Sequence, residues 1–112
     1  MRVVYIAHPL GQGPERETNR ARAARWSAWA ALQGYAPIAD WIILSGQWPE
    51  TEELRARGLA IDVALVQRSD ELWLVGGRVS PGMAIEADAA REAGIPVLDK
   101  TGLGPEPPET PT

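Results

Sequence analysis

Four short apolar runs, at residues 2–7, 35–39, 71–75 and 95–98, alternate with stretches long enough to be helices, and this alternation constrains the chain more than any other feature. Strands separated by helix-length segments do not return as hairpins. They pair in parallel through right-handed crossovers, which lay the intervening helices over the faces of the sheet. The first run, Val3-Val4-Tyr5-Ile6-Ala7, has almost no polar interruption, as a strand covered on both faces requires. Pro37 places the second run at an edge or a strand end. The expected architecture is α/β: a small Rossmann-like (flavodoxin-like) open parallel sheet of four to five strands with helices on both faces. In such sheets the ligand crevice lies beyond the carboxyl ends of the strands.

The helical stretches carry their own boundaries. Residues 15–33 bring Ala23, Trp26, Ala30 and Gln33 onto one face, set Arg16, Arg20, Arg22 and Arg25 among the polar positions, and stop at Gly34. Residues 52–68 show a stripe of Leu54, Ile61 and Leu65 widened by Leu59, Val63 and Val66. Residues 81–93 are the best marked, with Ser80 as N-cap, Pro81 at the first helical position and Gly94 closing. Residues 40–49, holding Trp41, Ile42, Ile43, Leu44 and Trp48, are too apolar for a solvated loop and are expected at a homodimer contact. Residues 101–112, rich in glycine, proline and acids, are expected to be a disordered tail, which leaves residues 1–100 as one domain.

Composition narrows the function classes. With no cysteine and one histidine the usual zinc ligand sets cannot be assembled, no aspartate cluster has a magnesium spacing, and neither metal nor cofactor is expected. A net charge of −4 argues against a broad nucleic-acid footprint, although a small anion needs only a local positive field. No apolar run approaches a membrane span, and the opening stretch is too short for a signal peptide, so a cytoplasmic protein is expected.

The candidate site residues gather where the crevice rule puts them. After the first strand comes His8-Pro9-Leu10-Gly11-Gln12-Gly13-Pro14. Gly11 and Gly13 could cradle a phosphate or merely supply turn dihedrals, and His8 could touch substrate. After the third strand comes Gly76-Gly77-Arg78-Val79-Ser80-Pro81-Gly82. The helix begun at Ser80 offers free N–H groups to an anion, with Gly82 adding no side chain to block it and Met83 next in line. Glu86 leans back over Gly82 and Met83, among apolar neighbours that would leave a carboxylate paired or pushed toward neutrality. Asp62 interrupts an apolar stretch of its helix, and a buried acid needs a reason. Tyr5 is the one hydroxyl in an otherwise aliphatic strand.

Taken in order, Val4-Tyr5-Ile6-Ala7, Asp62 eight residues before Asp70, Ser80-x-Gly82-x-x-x-Glu86 and Gly94-Ile95-Pro96-Val97 resemble the nucleoside 2-deoxyribosyltransferase superfamily over about residues 3–98. The likeness is closest to its short branch of DUF4406-type proteins that open with Tyr-Ile-Ala-His-Pro. The resemblance implies that Glu86 is the nucleophile attacking an anomeric carbon, that Tyr5 positions it, and that Asp62 assists sugar binding and proton transfer to the departing base. Serine rather than aspartate six residues before the glutamate implies a nucleoside 5′-monophosphate as substrate. The expectation is therefore an N-glycosidase or N-deoxyribosyltransferase acting on a small nucleotide or nucleoside, with a neighbouring subunit of a homodimer or higher homo-oligomer completing the site. His8-Pro9 departs from the Gly-rich opening of characterised members. The same crevice also suits a non-catalytic nucleotide-binding or sensor module, and the apolar 40–49 segment a small oligomerising scaffold.

Overall fold

The computed structural model describes residues 1–109 and shows an α/β domain. Its elements are β1 (Val3–Ala7), α1 (Glu15–Leu32), β2 (Ala36–Ile38), α2 (Asp40–Gln47), α3 (Glu52–Val66), β3 (Glu71–Leu74), α4 (Pro81–Glu92) and β4 (Val97–Asp99). The four strands form one parallel sheet in the order β2-β1-β3-β4, the small Rossmann-like open sheet expected from the alternation. The chain moves outward from β1 to β2 in one direction and from β3 to β4 in the other, so the topological switch point falls between β1 and β3.

Both central strands are buried on both faces, and their alternation divides the core in two. Val4 and Ile6 of β1, with Trp73 and Val75, meet Trp26 and Ala30 of α1. Tyr5 and Ala7, with Leu72 and Leu74, meet Trp41 of α2, Val66 of α3, and Met83, Ala87 and Ala90 of α4. One helix therefore covers one face and three cover the other. Tyr5, fully buried, points to the three-helix side because its neighbours Val4 and Ile6 take the α1 side. Asp70, just ahead of β3, ties that strand's start to β1. Its Oδ2 accepts the Val3 N–H at 2.7 Å, while its own N–H donates to Val3 O at 2.8 Å, joining the starts of β1 and β3.

Two segments differ from what their composition suggested. The apolar 40–49 stretch is largely helix, and Trp41 is spent inside its own chain, with its Nε1–H donating to Ile6 O at 3.2 Å. Ile43, 71% exposed, is the large apolar side chain of this stretch that lies open on the surface. The segment after β4 is not a free tail over its described length. It makes a 3-10 turn at Thr101–Leu103 and runs over α1, where Pro105 O accepts from Trp26 Nε1 at 2.9 Å. Glu106 binds Arg22 and Arg25 at 2.8 and 2.7 Å. A segment poor in apolar residues can still be held when a buried indole N–H and two arginines supply what it lacks. Residues 110–112 lie outside the described residues. Among the described residues, no helix is long and apolar enough to cross a membrane.

Candidate active site

The carboxyl ends of β1 and β3 open into a cavity of about 520 Å³ walled by all four helices. Seven of the nine residues expected at a site line it: His8, Gly11, Asp62, Ser80, Gly82, Met83 and Glu86. Tyr5 stands behind the wall and touches Glu86. Gly13 does not itself line the cavity, but its N–H donates to Oε2 of the lining residue Glu50 at 3.4 Å.

Glu86 is 5% exposed, in the second turn of α4, and the Tyr5 hydroxyl donates to its Oε2 at 2.8 Å. Among the described residues no other hydroxyl or N–H donates to Glu86, which leaves only the Asp62 carboxyl as a further donor. A solvated-face role for Glu86 is excluded by this burial. Asp62, 8% exposed on α3, brings its carboxyl within hydrogen-bonding reach of Glu86 and of Asp40, the first residue of α2. Asp62 Oδ1 and both Asp40 oxygens are buried without a partner that donates in good geometry. Three carboxyls this close in a desolvated setting repel one another as anions, and a shared proton relieves the crowding.

The proton has a preferred home. Desolvation, then the charges of Glu86 and Asp40, push the Asp62 carboxyl up to about 9. Desolvation also raises Glu86, but the hydrogen bonds from Tyr5 and Asp62 oppose it, and it rises only to about 7. Burial raises Asp40 as well. The three acids titrate as a unit, and near neutral pH the cluster retains a proton, with Asp62 the more strongly raised of the pair. Burial, followed by the Glu86 charge, raises Tyr5 far out of the physiological range, which keeps its hydroxyl a donor. The constellation is one acid and one carboxylate side by side at the edge of a cleft.

The remaining candidates take narrower roles. Ser80 is the N-cap of α4: its Oγ accepts the Met83 N–H at 3.3 Å, and its N–H meets Met83 Sδ at 3.3 Å. The hydroxyl proton is still available for a ligand. A Cβ on Gly82 would meet nothing within 4 Å, so that position stays open to the cleft. Gly11 has φ +74° and a Cβ there would meet Glu15 Oε2 at 2.8 Å, which explains this glycine by the turn itself. His8 is stacked on Trp41 and bonded through Nδ1 to Pro9 O at 2.6 Å. Burial lowers its pKa to about 4, so it is neutral and offers an unpartnered Nε2 acceptor instead of a charge for phosphate.

Sequence reading did not reach Asp40, Arg16, Arg55 or Glu50. Asp40 could have been found as the acid ending the second strand, since the crevice rule applies to that strand end too. Arg16 follows the glycine loop by one turn. Arg55, Leu59 and Asp62 share one stripe of α3 at helical spacing, but only the packing shows that this stripe faces a cavity.

A compact flavodoxin-like α/β domain with a buried acid–carboxylate pair beside its switch point is the class that fold and cleft define. Within it, the chain belongs to the family described as Domain of unknown function (DUF7768), whose model matches residues 2–100, from the start of β1 through the end of β4. No match was found among curated proteins.

Proposed function

We propose that the protein cleaves the N-glycosidic bond of a (deoxy)nucleoside 5′-monophosphate, as an N-glycosidase or N-deoxyribosyltransferase, with Glu86 as nucleophile. The observation that carries this reading is the 2.8 Å bond from Tyr5 to Glu86 Oε2 with the proton-holding Asp62 alongside. It agrees with the resemblance of the Tyr5, Asp62, Ser80 and Glu86 pattern to nucleoside 2-deoxyribosyltransferases.

In the first step a Glu86 carboxylate oxygen forms a bond to the anomeric carbon as the carbon–nitrogen bond breaks. The electron pair leaves with the base, which takes the Asp62 proton. Tyr5 holds Oε2 and stabilises the ionised form, so that Oε1 is the oxygen free to attack. In the second step water, or another base, attacks the glycosyl ester. Asp62, now ionised, takes the attacking group's proton, and Glu86 leaves as carboxylate. Two inversions return the original configuration. Arg16, Arg55 and Arg78 around the cleft favour an anionic substrate over an uncharged nucleoside. The setting is the cytoplasm, as a homo-oligomer in which the exposed Ile43 lies at a contact.

Incubation with a panel of deoxynucleotides and ribonucleotides, followed by chromatography for free base, tests the reading. Release from at least one 5′-monophosphate is expected. A nucleotide that raises the melting temperature and is recovered intact at high enzyme concentration would instead identify a non-catalytic binding module.

A further inference from the structure

On the cleft wall across from α4, Glu50 lies between two arginines. Its Oε2 is 3.5 Å from Arg16 Nη1 and 3.4 Å from the Gly13 N, and its Oε1 is 3.1 Å from Arg55 Nη2. Arg16 is mostly buried, its side chain 15% exposed, and it is held in place by its Nη2–H donating to Ser45 O at 3.2 Å. Its Nε is buried and has no partner among the described residues. A guanidinium fixed by a carbonyl, with one donor unused and another at a long 3.5 Å, is poorly satisfied by the carboxylate it now has. Glu50 itself is 34% exposed, on the connection between α2 and α3, and an ion pair so open to solvent is cheap to exchange.

We infer that Arg16, Arg55 and the Gly13 N–H form an anion subsite that Glu50 occupies in the free protein, and that a phosphoryl group of the ligand displaces it. A phosphoryl group has three acceptor oxygens and up to two charges where Glu50 offers two oxygens and one charge, so it reaches Arg16 Nε as well. Arg55 and Asp62 are seven residues apart on one helix, roughly 10 Å along its axis. That span suits a phosphorylated pentose with a contact at either end. The inference takes its ligand class from the nucleotide reading, but the subsite stands on its own contacts.

Titration calorimetry with inorganic phosphate, in a chloride buffer of constant ionic strength, tests the subsite without requiring turnover. Glu50→Gln is expected to bind phosphate about fivefold more tightly than the native chain, the factor an open ion pair can withhold. Adding Arg16→Met to Glu50→Gln should abolish that binding, and the exposed Arg55→Ala, which carries little risk to folding, should weaken it. Arg91→Ala, exposed on the last turn of α4 and outside the cleft, should leave it unchanged. Equal phosphate affinity in the native and Glu50→Gln proteins, or binding kept without Arg16 and Arg55, would overturn the inference. A protein that binds phosphate in this pattern yet releases no base would refute the proposed reaction and leave the subsite standing.

Discussion

Glu71 and Glu86 are buried almost equally, at 7% and 5% exposure, yet their acidities move in opposite directions. Glu71 begins β3 at the amino end of the sheet, where each oxygen receives a donor: Trp73 Nε1–H at 2.9 Å and Arg2 Nε–H at 2.7 Å. The Trp73 and Arg2 bonds outweigh desolvation and hold its pKa below the usual carboxylate range. Glu86 lies near the carboxyl end of the sheet with one hydroxyl donor and another carboxyl against it, and desolvation prevails. Surface exposure alone therefore does not decide what a carboxylate becomes; the depth of protein around it and the balance of donors and competing acids do. One end of this sheet has a satisfied ion, and the other retains an unsettled one facing a cavity.

The sharpest way to break this comparison is to replace each glutamate with its neutral isostere. Glu86→Gln is expected to lose base release by about 10³-fold or more, the scale of losing a nucleophile. Glu71→Gln should keep turnover within about twofold at a temperature where both variants are folded, because it touches no part of the cleft. Rates from both variants on the best substrate decide the matter. Retained turnover in Glu86→Gln would remove it as nucleophile, and a large loss in Glu71→Gln would show that the two ends of the sheet are not independent.

How much of this was legible beforehand follows the same division. Glu86, Asp62 and Ser80 announced themselves because each broke a local rule: an acid among alanines, an acid within a leucine-rich stripe, and a cap–proline–glycine start. The sheet was legible because β-runs and helix stops recur at fixed lengths. Asp40 was not, because its role exists only through Asp62 on another helix, a contact that spacing cannot encode. Helix α2 was missed because eight residues, four of them an unbroken apolar run from Trp41 to Leu44, carry little periodicity to read. The ordered path of Pro105 and Glu106 depends on Trp26, Arg22 and Arg25 far back in α1, and composition alone registers only glycine, proline and acid.

The acid cluster should also imprint itself on the pH profile. The proposed chemistry needs Glu86 ionised and Asp62 protonated, so turnover falls below about 7 as Glu86 gains its proton and above about 9 as Asp62 loses its own. Both limbs lie well above those of ordinary carboxylates. Asp40 contributes to the upper limb, because its charge and its hydrogen bond raise Asp62. Asp40→Asn removes that charge, and the alkaline limb should move toward neutrality while the acid limb moves less. Profiles of kcat/KM for both proteins measure this. An unmoved alkaline limb would mean that Asp40 has no hold on the Asp62 proton.

The smallest effects are on stability, and there the two ends of the sheet should respond with opposite sign. Asp62 and Glu86 have raised pKa values in the folded chain, so above the unfolded values of 3.8 and 4.5 the native state holds more protons than the unfolded state. Stability then declines as pH rises toward about 9, where Asp62 finally ionises. Asp62→Asn removes one such liability and should gain about 1–2 kcal/mol at pH 8, with a flatter slope of stability against pH. Glu71 has a lowered pKa, so its contribution is present above the unfolded value and is lost as pH falls through the folded one. Glu71→Gln should cost only about 1 kcal/mol at pH 8, because Arg2 is 57% exposed and solvent screens that half of the pairing, and the cost should shrink in acid. Urea unfolding of the native chain and both variants at pH 4, 6 and 8 reads all of this. If Asp62→Asn is destabilised at pH 8, Asp62 is a structural acid with a partner, and the unsettled carboxylate that distinguishes the cleft from the foot of the sheet is not there.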